Sequence, residues 1–345
     1  MDIPIESETL LSSYTTIGLG GCAKYFLKIQ SCDQLQEFFS QYKPKKYLVL
    51  GGGSNLLIPD TGYDGYVLKL EMLGVEKIFE NDTKVGYRVQ AGENWDAFVR
   101  RTVLDGNFGV ECLAGIPGNI GAVPIQNVGA YGQEVADTIV AVKVFDPEEG
   151  KFMTMAKQAC QFGYRDSYFK HSYGAGLIVC EVEFCLDKAA KAPYKYRDLK
   201  DLSAYRTSDN ASQYLQNVYD TVIKIRKAKG MVIDKQDPDS RSLGSFFKNP
   251  VVDQKAFDRL QEIDPNIPFY EFADKYKIPA AWLIEQAGIQ KGLQHGGVGV
   301  SHKHSLALIN ISGTTSELLE LAALITKKVD EKFGVVLERE PALVS

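Results

Sequence analysis

Long apolar runs are missing from this sequence: none approaches the ~20 residues that a membrane-spanning helix needs. Positive charge is not in excess either. The 39 Lys and Arg against 44 Asp and Glu leave a formal charge of -5, which argues against a nucleic-acid surface, and the one tight basic run, KPKK at 43–46, reads as a solvated turn. The stretch MDIPIESETLLSS is acidic where a secretory leader would be basic, so a cytoplasmic protein with no membrane or nucleic-acid partner is expected. The six cysteines, Cys22, Cys32, Cys112, Cys160, Cys180 and Cys185, never form C-x-x-C; buried, reduced thiols are expected and a metal site is not. G-x-x-x-x-G-K-[ST], G-x-S-x-G and H-E-x-x-H are absent as well, which removes P-loop, hydrolase-elbow and zinc-peptidase chemistry.

What is present exceeds one hydrophobic core, since the chain has 345 residues. The pattern divides into segments 1–70, 71–230 and 231–345. In the first, CDQLQEFFSQY has helical spacing and KYLVL runs as a buried strand into GGGSN. The second is strand-rich (VGYRVQAG, IVAVKVFD, KFMTM, LIVCEVEF) around the helix WDAFVRRTVLDG, and closes on the long helical pattern ASQYLQNVYDTVIKIRKAKG, stopped at Gly230. DKQDPDSRS is rich in turn formers and reads as a linker. Beyond it, helices are expected over DQKAFDRLQEI, PAAWLIEQAG and TSELLELAALITKKVDEKF, and strands over SLALIN and GVVLE.

Chemistry concentrates in a few places. GLGGCA fits a dinucleotide fingerprint only superficially, because the KYFLKIQ that follows is strand-like where that fingerprint must open a helix. Gly51, Gly52, Gly53, Ser54 and Asn55 directly follow a buried strand, where bare N–H groups form either an anion-binding nest or a plain tight turn. The run CLAGIPGNIGAVPIQNVGAYGQEV spaces Gly115, Gly118, Gly121, Gly129 and Gly132 closely, with almost no charge and with Gln126 and Asn127 as its polar anchors. So many glycines suit a backbone that must approach a large, flat, partly anionic cofactor. In FGYRDSYFK, Arg165 stands among aromatics beside Asp166, either as a two-pronged carboxylate binder or as half of a structural ion pair. In RSLGSFFKNP, Ser245 sits between a glycine and Phe246–Phe247 without the base and elbow a nucleophile needs. LEREP places Glu338 and Glu340 two apart, on one side of an extended segment, where a solvated tail is the ordinary alternative.

Taken together, YTTIGLGGCAKYF, GGGSNLLI, AGENW, GIPGNIGAVPIQNVGAYGQEV, FGYRDSYFK, the KGMVIDKQDPDSRSLGSFFKNP block, the AAWLIEQ-to-SLALIN block and LEREP resemble, along nearly the whole chain, the UDP-N-acetylenolpyruvoylglucosamine reductases. The resemblance implies an α+β protein with a vanillyl-alcohol-oxidase (PCMH) type FAD-binding fold. Two FAD-binding lobes, 1–70 and 71–230, precede a C-terminal α+β substrate-binding domain, 231–345. It implies FAD and NADPH as cofactors, a nucleotide-sugar substrate and a monomer. NADPH reduces the flavin, and hydride then reaches the vinyl carbon of the enolpyruvyl ether on the way to UDP-N-acetylmuramate. Carried over by position, Arg165 stabilises the enolate, Ser245 donates the proton and Glu340 assists at the carboxylate. Residues 51–55, Gly115, Pro117, Gly118, Gly121, Ala122 and Tyr131 match the flavin site. Tyr131, Arg165, Tyr196, Lys229, Asn249 and Gln294 match substrate contacts. Where some relatives carry serines, Ala122 and Val123 stand here, so backbone N–H groups must serve the flavin. Two other classes stay open: an alcohol or hydroxy-acid oxidase of the same flavin superfamily, which would not need Ser245, and a catalytically silent flavin or nucleotide-sugar binding module.

Overall fold

A computed structural model describes residues 3–189, 194, 199, 202 and 211–344; Tyr196 lies outside the described residues. The chain forms two compact units. The first takes Met1–Thr9, Ala23–Gly53 and Asp64–Lys227, the second Leu10–Cys22, Ser54–Tyr63 and Ala228–Ser345.

Elements of the first unit begin with β1 (Glu6–Leu10), β2 (Cys22–Ile29), α1 (Cys32–Tyr42) and β3 (Tyr47–Leu50); β4 (Leu56–Leu57) belongs to the second unit. Then follow β5 (Tyr63–Leu70), β6 (Val75–Glu80), β7 (Lys84–Gln90), α2 (Trp95–Leu104), α3 (Val123–Gln126), β8 (Gly129–Ala130), β9 (Gln133–Glu134), β10 (Ile139–Asp146), β11 (Lys151–Ala156), β12 (Ile178–Asp187) and α4 (Ala211–Ala228). One sheet has the order β1-β2-β5-β3, with β3 and β5 parallel, and a second the order β11-β10-β12-β7-β6. β12 lies in the middle of the five and reads LIVCEVEF because both of its faces are covered; the edge strand β6 is largely exposed. Ser31 caps α1 by accepting the Gln34 N–H at 3.1 Å, and Leu35, Phe38 and Phe39 form its buried stripe. The larger core gathers Trp95, Phe98, Tyr87 and Phe184 with Leu215, Val218 and Val222 of α4.

The second unit contains β13 (Ser242–Ser245), β14 (Val251–Val252), α5 (Gln254–Ile263), β15 (Tyr270–Phe272), β16 (Lys275–Lys277), α6 (Ala280–Gln286), β17 (Gln294–His295), β18 (Val298–Val300), β19 (Ala307–Asn310), α7 (Thr315–Phe333) and β20 (Ala342–Leu343). Its main sheet runs β13-β19-β18-β17, and α7 buries Leu318, Leu321, Ile325 and Val329 in the same core as Val298 and Leu308. The early stretch Ser54–Tyr63 joins this unit through specific bonds. β4 pairs in parallel with β20, and Asp60 accepts the Thr315 and Ser316 N–H groups (2.7 and 3.0 Å) at the first turn of α7.

Two expectations need correction. GVVLE is not a strand: Gly334, at φ +63, closes α7, and 335–338 run outside any ladder until Arg339 bridges Phe247. DKQDPDSRS is not a free linker, because Asp237 caps a short 3-10 turn, Pro238–Ser240, that buries Asp239. The Asp239 carboxylate accepts from Ser301 Oγ at 2.8 Å and lies 3.2 Å from His302 Nδ1. Turn formers there make a docked turn instead of a tether. Of the six free cysteines, Cys112, Cys160 and Cys180 are buried while Cys22, Cys32 and Cys185 are partly exposed. Among the described residues no three His, Cys, Asp or Glu side chains gather as a metal site.

Candidate active site

In the first unit Arg165 is set by a tight turn. Gly163 and Asp166 exchange both backbone hydrogen bonds, at 2.9 and 3.2 Å, and Arg165 adopts φ +53 between them. A non-glycine residue in that region costs on the order of 1 kcal/mol and must be held there. Three contacts hold it. Nη2 donates to the Gly129 carbonyl at 2.6 Å, the guanidinium carbon lies 5.7 Å from the Tyr164 ring centre, and Lys170 Nζ donates to the Arg165 carbonyl at 2.8 Å. The neighbouring Asp166 engages His171 Nε2 at 2.9 Å.

The glycine-rich run is fastened to that turn. Asn127, itself left-handed and buried, donates to Glu134 Oε2 at 2.9 Å and to the Gly163 carbonyl at 2.8 Å. β8 and β9 then form a hairpin whose two turn residues, Tyr131 and Gly132, both have positive φ (52° and 87°), the pattern that matches strand twist in a two-residue turn. Upstream, the chain shows bare backbone. A Cβ on Gly52 would fall 2.6 Å from Gly118 Cα and 2.9 Å from Asn119 Oδ1, and one on Gly121 would fall 2.8 Å from Ala91 Cβ. Lys69 Nζ donates to the Gly51 carbonyl, and the Gly115 N–H donates to Asp96 Oδ1 at 2.6 Å. Residues 51–53 and 117–122 therefore meet with no side chain at the closest approach, a surface that fits a flat diphosphate-bearing cofactor such as FAD. Val123 is buried, whereas Ala122 stays partly exposed toward Gly51, 3.9 Å from where its Cβ would be. Ser54 and Asn55 belong to the second unit, where the Asn55 carbonyl accepts from the Ala342 N–H at 3.1 Å.

One cation escaped the sequence reading. Arg226 on α4 is buried, donates to the Tyr131 hydroxyl, and lies in electrostatic range of Asp96 and Arg165. Burial pushes its pKa below the ordinary guanidinium value, and Tyr131 and Asp96 oppose that. A signal for it existed: Arg226 continues the apolar spacing of Leu215, Val218, Tyr219 and Val222, a position where a cation has to be paired.

In the second unit Ser245 ends β13 beside a register shift in its pairing with β19, directly after Gly244 at φ +70. Such bulges re-aim the side chain that follows. Behind it, Phe246 and Phe247 are 1% and 2% exposed, which keeps water from that side. The chain end comes back to this strand: the Glu340 N–H donates to the Phe246 carbonyl at 2.9 Å, the Lys248 N–H to the Glu338 carbonyl at 2.9 Å, and Lys248 Nζ pairs with Glu338. Two sequence-predicted residues, Ser245 and Glu340, are thereby brought into neighbouring segments. Asn249 accepts the Ala280 N–H at 2.9 Å through Oδ1, which fixes the rotamer of its amide at the start of α6. Gln294 is exposed on the edge strand β17. The groups in electrostatic range of Lys229 include His304, which the sequence reading left aside, and His304 also feels Lys291. Burial first, then the two lysines, hold the His304 pKa down at about 4, and its Nδ1 accepts the Leu306 N–H at 3.1 Å. Glu285, which pairs with Lys291 at 3.5 Å, opposes the two lysines.

Comparison with known proteins bears on both units. Residues 23–156 match the FAD binding domain family and residues 236–344 the UDP-N-acetylenolpyruvoylglucosamine reductase C-terminal domain family. The UDP-N-acetylenolpyruvoylglucosamine reductase of Thermobifida fusca (strain YX) is 41% identical over 97% of this chain and 96% of its own. That of Salinispora arenicola is also 41% identical, over 100% and 97%, and that of Flavobacterium johnsoniae 36%, over 97% and 98%. The crystal structure of the Thermus caldophilus enzyme superposes with a TM-score of 0.70 at 25% identity, covering 100% of both chains. With both domain families in order and kinship running end to end, the chain belongs to the UDP-N-acetylenolpyruvoylglucosamine reductase family, flavoprotein oxidoreductases of peptidoglycan precursor synthesis.

Proposed function

We propose that the protein reduces the enolpyruvyl ether of UDP-N-acetylglucosamine enolpyruvate to UDP-N-acetylmuramate with NADPH, and that segments 1–70 and 71–230 serve the flavin while 231–345 serves the substrate. FAD, when bound, supplies the hydride that NADPH gave it. Backbone N–H groups of residues 51–53, Gly118 and Asn119 would hold its diphosphate, with Lys69 fixing the Gly51–Gly52 peptide plane and Pro117 and Gly121 shaping the loop. Ser54, Asn55, Gly115 and Tyr131 complete the flavin contacts in this reading.

Arg165 binds the substrate carboxylate through its planar fork and takes up the negative charge that hydride addition creates. Ser245 then gives its proton to the carbon next to that carboxylate, and Glu340 assists in orienting the carboxylate. A serine hydroxyl is a weak acid; a carbanion in a dry pocket is a strong enough base to take its proton. Lys229, with His304 and Lys291 as neighbours, meets the nucleotide diphosphate, and Tyr131, Tyr196, Asn249 and Gln294 make further substrate contacts. The observation that carries this reading is the pairing of Glu340 with Phe246, because it sets a carboxylate-bearing segment next to the one small hydroxyl in an aromatic wall. Stopped-flow absorbance tests it. Flavin bleached by NADPH should regain its colour without oxygen only when the enolpyruvyl nucleotide sugar is added; recovery with oxygen alone at a comparable rate would favour an oxidase.

A further inference from the structure

Cys32 and Cys180 take no part in the chemistry above, yet the first unit places them together. Cys32 opens α1, immediately after its N-cap Ser31, where the unpaired N–H groups of the first turn favour an anion. Cys180 lies in β12 at a break in the ladder: Lys143 pairs with Glu181 and Val144 with Val179, so Cys180 is the extra residue of a β-bulge. That bulge turns its side chain into the apolar cluster with Leu35, Phe38 and Phe145, against which Cys32 packs. The two side chains interact with each other, and Cys180 Sγ lies 3.4 Å from the Ile178 carbonyl.

The groups around the pair divide its labour. Cys32 is held below the ordinary thiol value, first by its interaction with Cys180 and then by Lys143 of β10, against burial, Glu181 of β12 and Asp33 of α1. Cys180 is pushed up by the same interaction and by burial. Cys32, partly exposed at a helix N-terminus, is therefore the sulfur that ionises first, and the buried Cys180 stays a thiol.

We propose that Cys32 and Cys180 form a peroxide-reactive dithiol in which Cys32 is attacked first and Cys180 resolves it as an intramolecular disulfide. The Cys32 thiolate displaces hydroxide from hydrogen peroxide and becomes a sulfenic acid. The Cys180 sulfur then displaces the sulfenic oxygen, which leaves as water with the Cys180 proton. The sulfur pair loses two electrons, the peroxide gains them, and a dithiol reductant reverses the step. Closing the bond draws the bulge toward α1, and the bulge is tied to a glycine loop. The Cys180 carbonyl accepts the Ala91 N–H at 2.9 Å, and the Ala91 carbonyl accepts the Gly121 N–H at 2.9 Å. Oxidation therefore weakens FAD binding; this consequence rests on the proposed flavin reading, whereas the disulfide itself does not.

The experiment treats reduced full-length protein with hydrogen peroxide, alkylates the remaining thiols and measures intact mass and peptides. A reducible loss of about 2 Da confined to the Cys32–Cys180 peptides is expected. In Cys180→Ser a sulfenic acid trapped by dimedone at Cys32 is expected, and in Cys32→Ser no disulfide. Alkylation of Cys32 should follow a midpoint below the ordinary thiol value of about 8.5 and slow when Lys143→Met is introduced. No mass loss, a disulfide between other cysteines, or a Cys32 alkylation midpoint near the ordinary thiol value of about 8.5 would overturn the dithiol. FAD titration of the oxidised protein should show severalfold weaker binding than of the reduced; equal affinity with the disulfide in place would overturn the coupling to the Gly121 loop alone.

Discussion

Arg165 and Ser245 answer for the two ends of one proposed event, charge stabilisation and protonation, but they are placed in opposite ways. Arg165 stands in a turn closed by Gly163 and Asp166, with its guanidinium on a carbonyl of a hairpin 36 residues back in sequence. Its own turn is local, a left-handed residue between Gly163 and Asp166, while the hairpin carbonyl and the Asn127 bridge reach it across 36 residues of the same unit. Ser245 owes its position to β19 on one side and to the final segment of the chain on the other. Local placement makes a group rigid whatever the rest of the unit does; long-range placement makes it depend on the whole unit being folded. The difference teaches that the cation is set by its own turn and one hairpin of its unit, while the proton donor depends on a strand and a chain end much farther away in sequence.

Mutations can break or sharpen that contrast. The largest effect is expected from Ser245→Ala, which should leave flavin reduction by NADPH unchanged and slow reoxidation by substrate ~10²-fold or more, about 2.7 kcal/mol of barrier. Equal slowing of both half-reactions in stopped-flow would show Ser245 to be a structural residue, and the contrast would fail. Arg165→Lys tests the other side: charge is kept but the fork is lost, so substrate turnover should fall by about tenfold or more, whereas unchanged turnover would refute bidentate binding.

Next comes Gly52→Ala, whose methyl meets Gly118 backbone at 2.6 Å with nothing flexible to yield. Destabilisation of the first unit by about 1–3 kcal/mol and weaker FAD binding are expected from denaturant titration followed by flavin fluorescence. A variant that binds FAD like the wild type would mean that the two glycine loops tolerate separation.

The smallest effect concerns the second unit and acid. His304 is held at about 4, below its ordinary value, so as pH falls the unfolded chain takes the proton first. Its contribution is complete above about pH 6.5 and is lost as pH falls from there toward 4, about 2 kcal/mol of it by pH 5. His304→Gln should flatten that part of the stability-against-pH curve; an unchanged curve would place the imidazole in water.

Much of this was legible in residues alone. Ser31, Leu35, Phe38 and Phe39 announce α1 by cap and spacing, and the glycine intervals of 112–135 announce backbone that must come close to something. Other parts were not. GVVLE reads like a strand but forms no ladder, because Val335 and Leu337 are buried in the α7 core without one. DKQDPDSRS has linker chemistry, and only the approach of Ser301 and His302 turns Asp239 into a buried anchor. Arg226 was passed over because a helical pattern records spacing but not which buried cation has a hydroxyl waiting for it.

By itself the sequence determined the local devices: caps, left-handed turn residues, the bare backbone of the glycine loops and the identity of the reactive groups, since these depend on interactions within a few residues. Tertiary structure alone decided that 10–22 and 54–63 join the second unit, that Glu340 lies along Phe246, and that Cys32 meets Cys180 at a bulge. Those outcomes are set by which distant surfaces bury each other best, a property of the folded chain that no local pattern encodes.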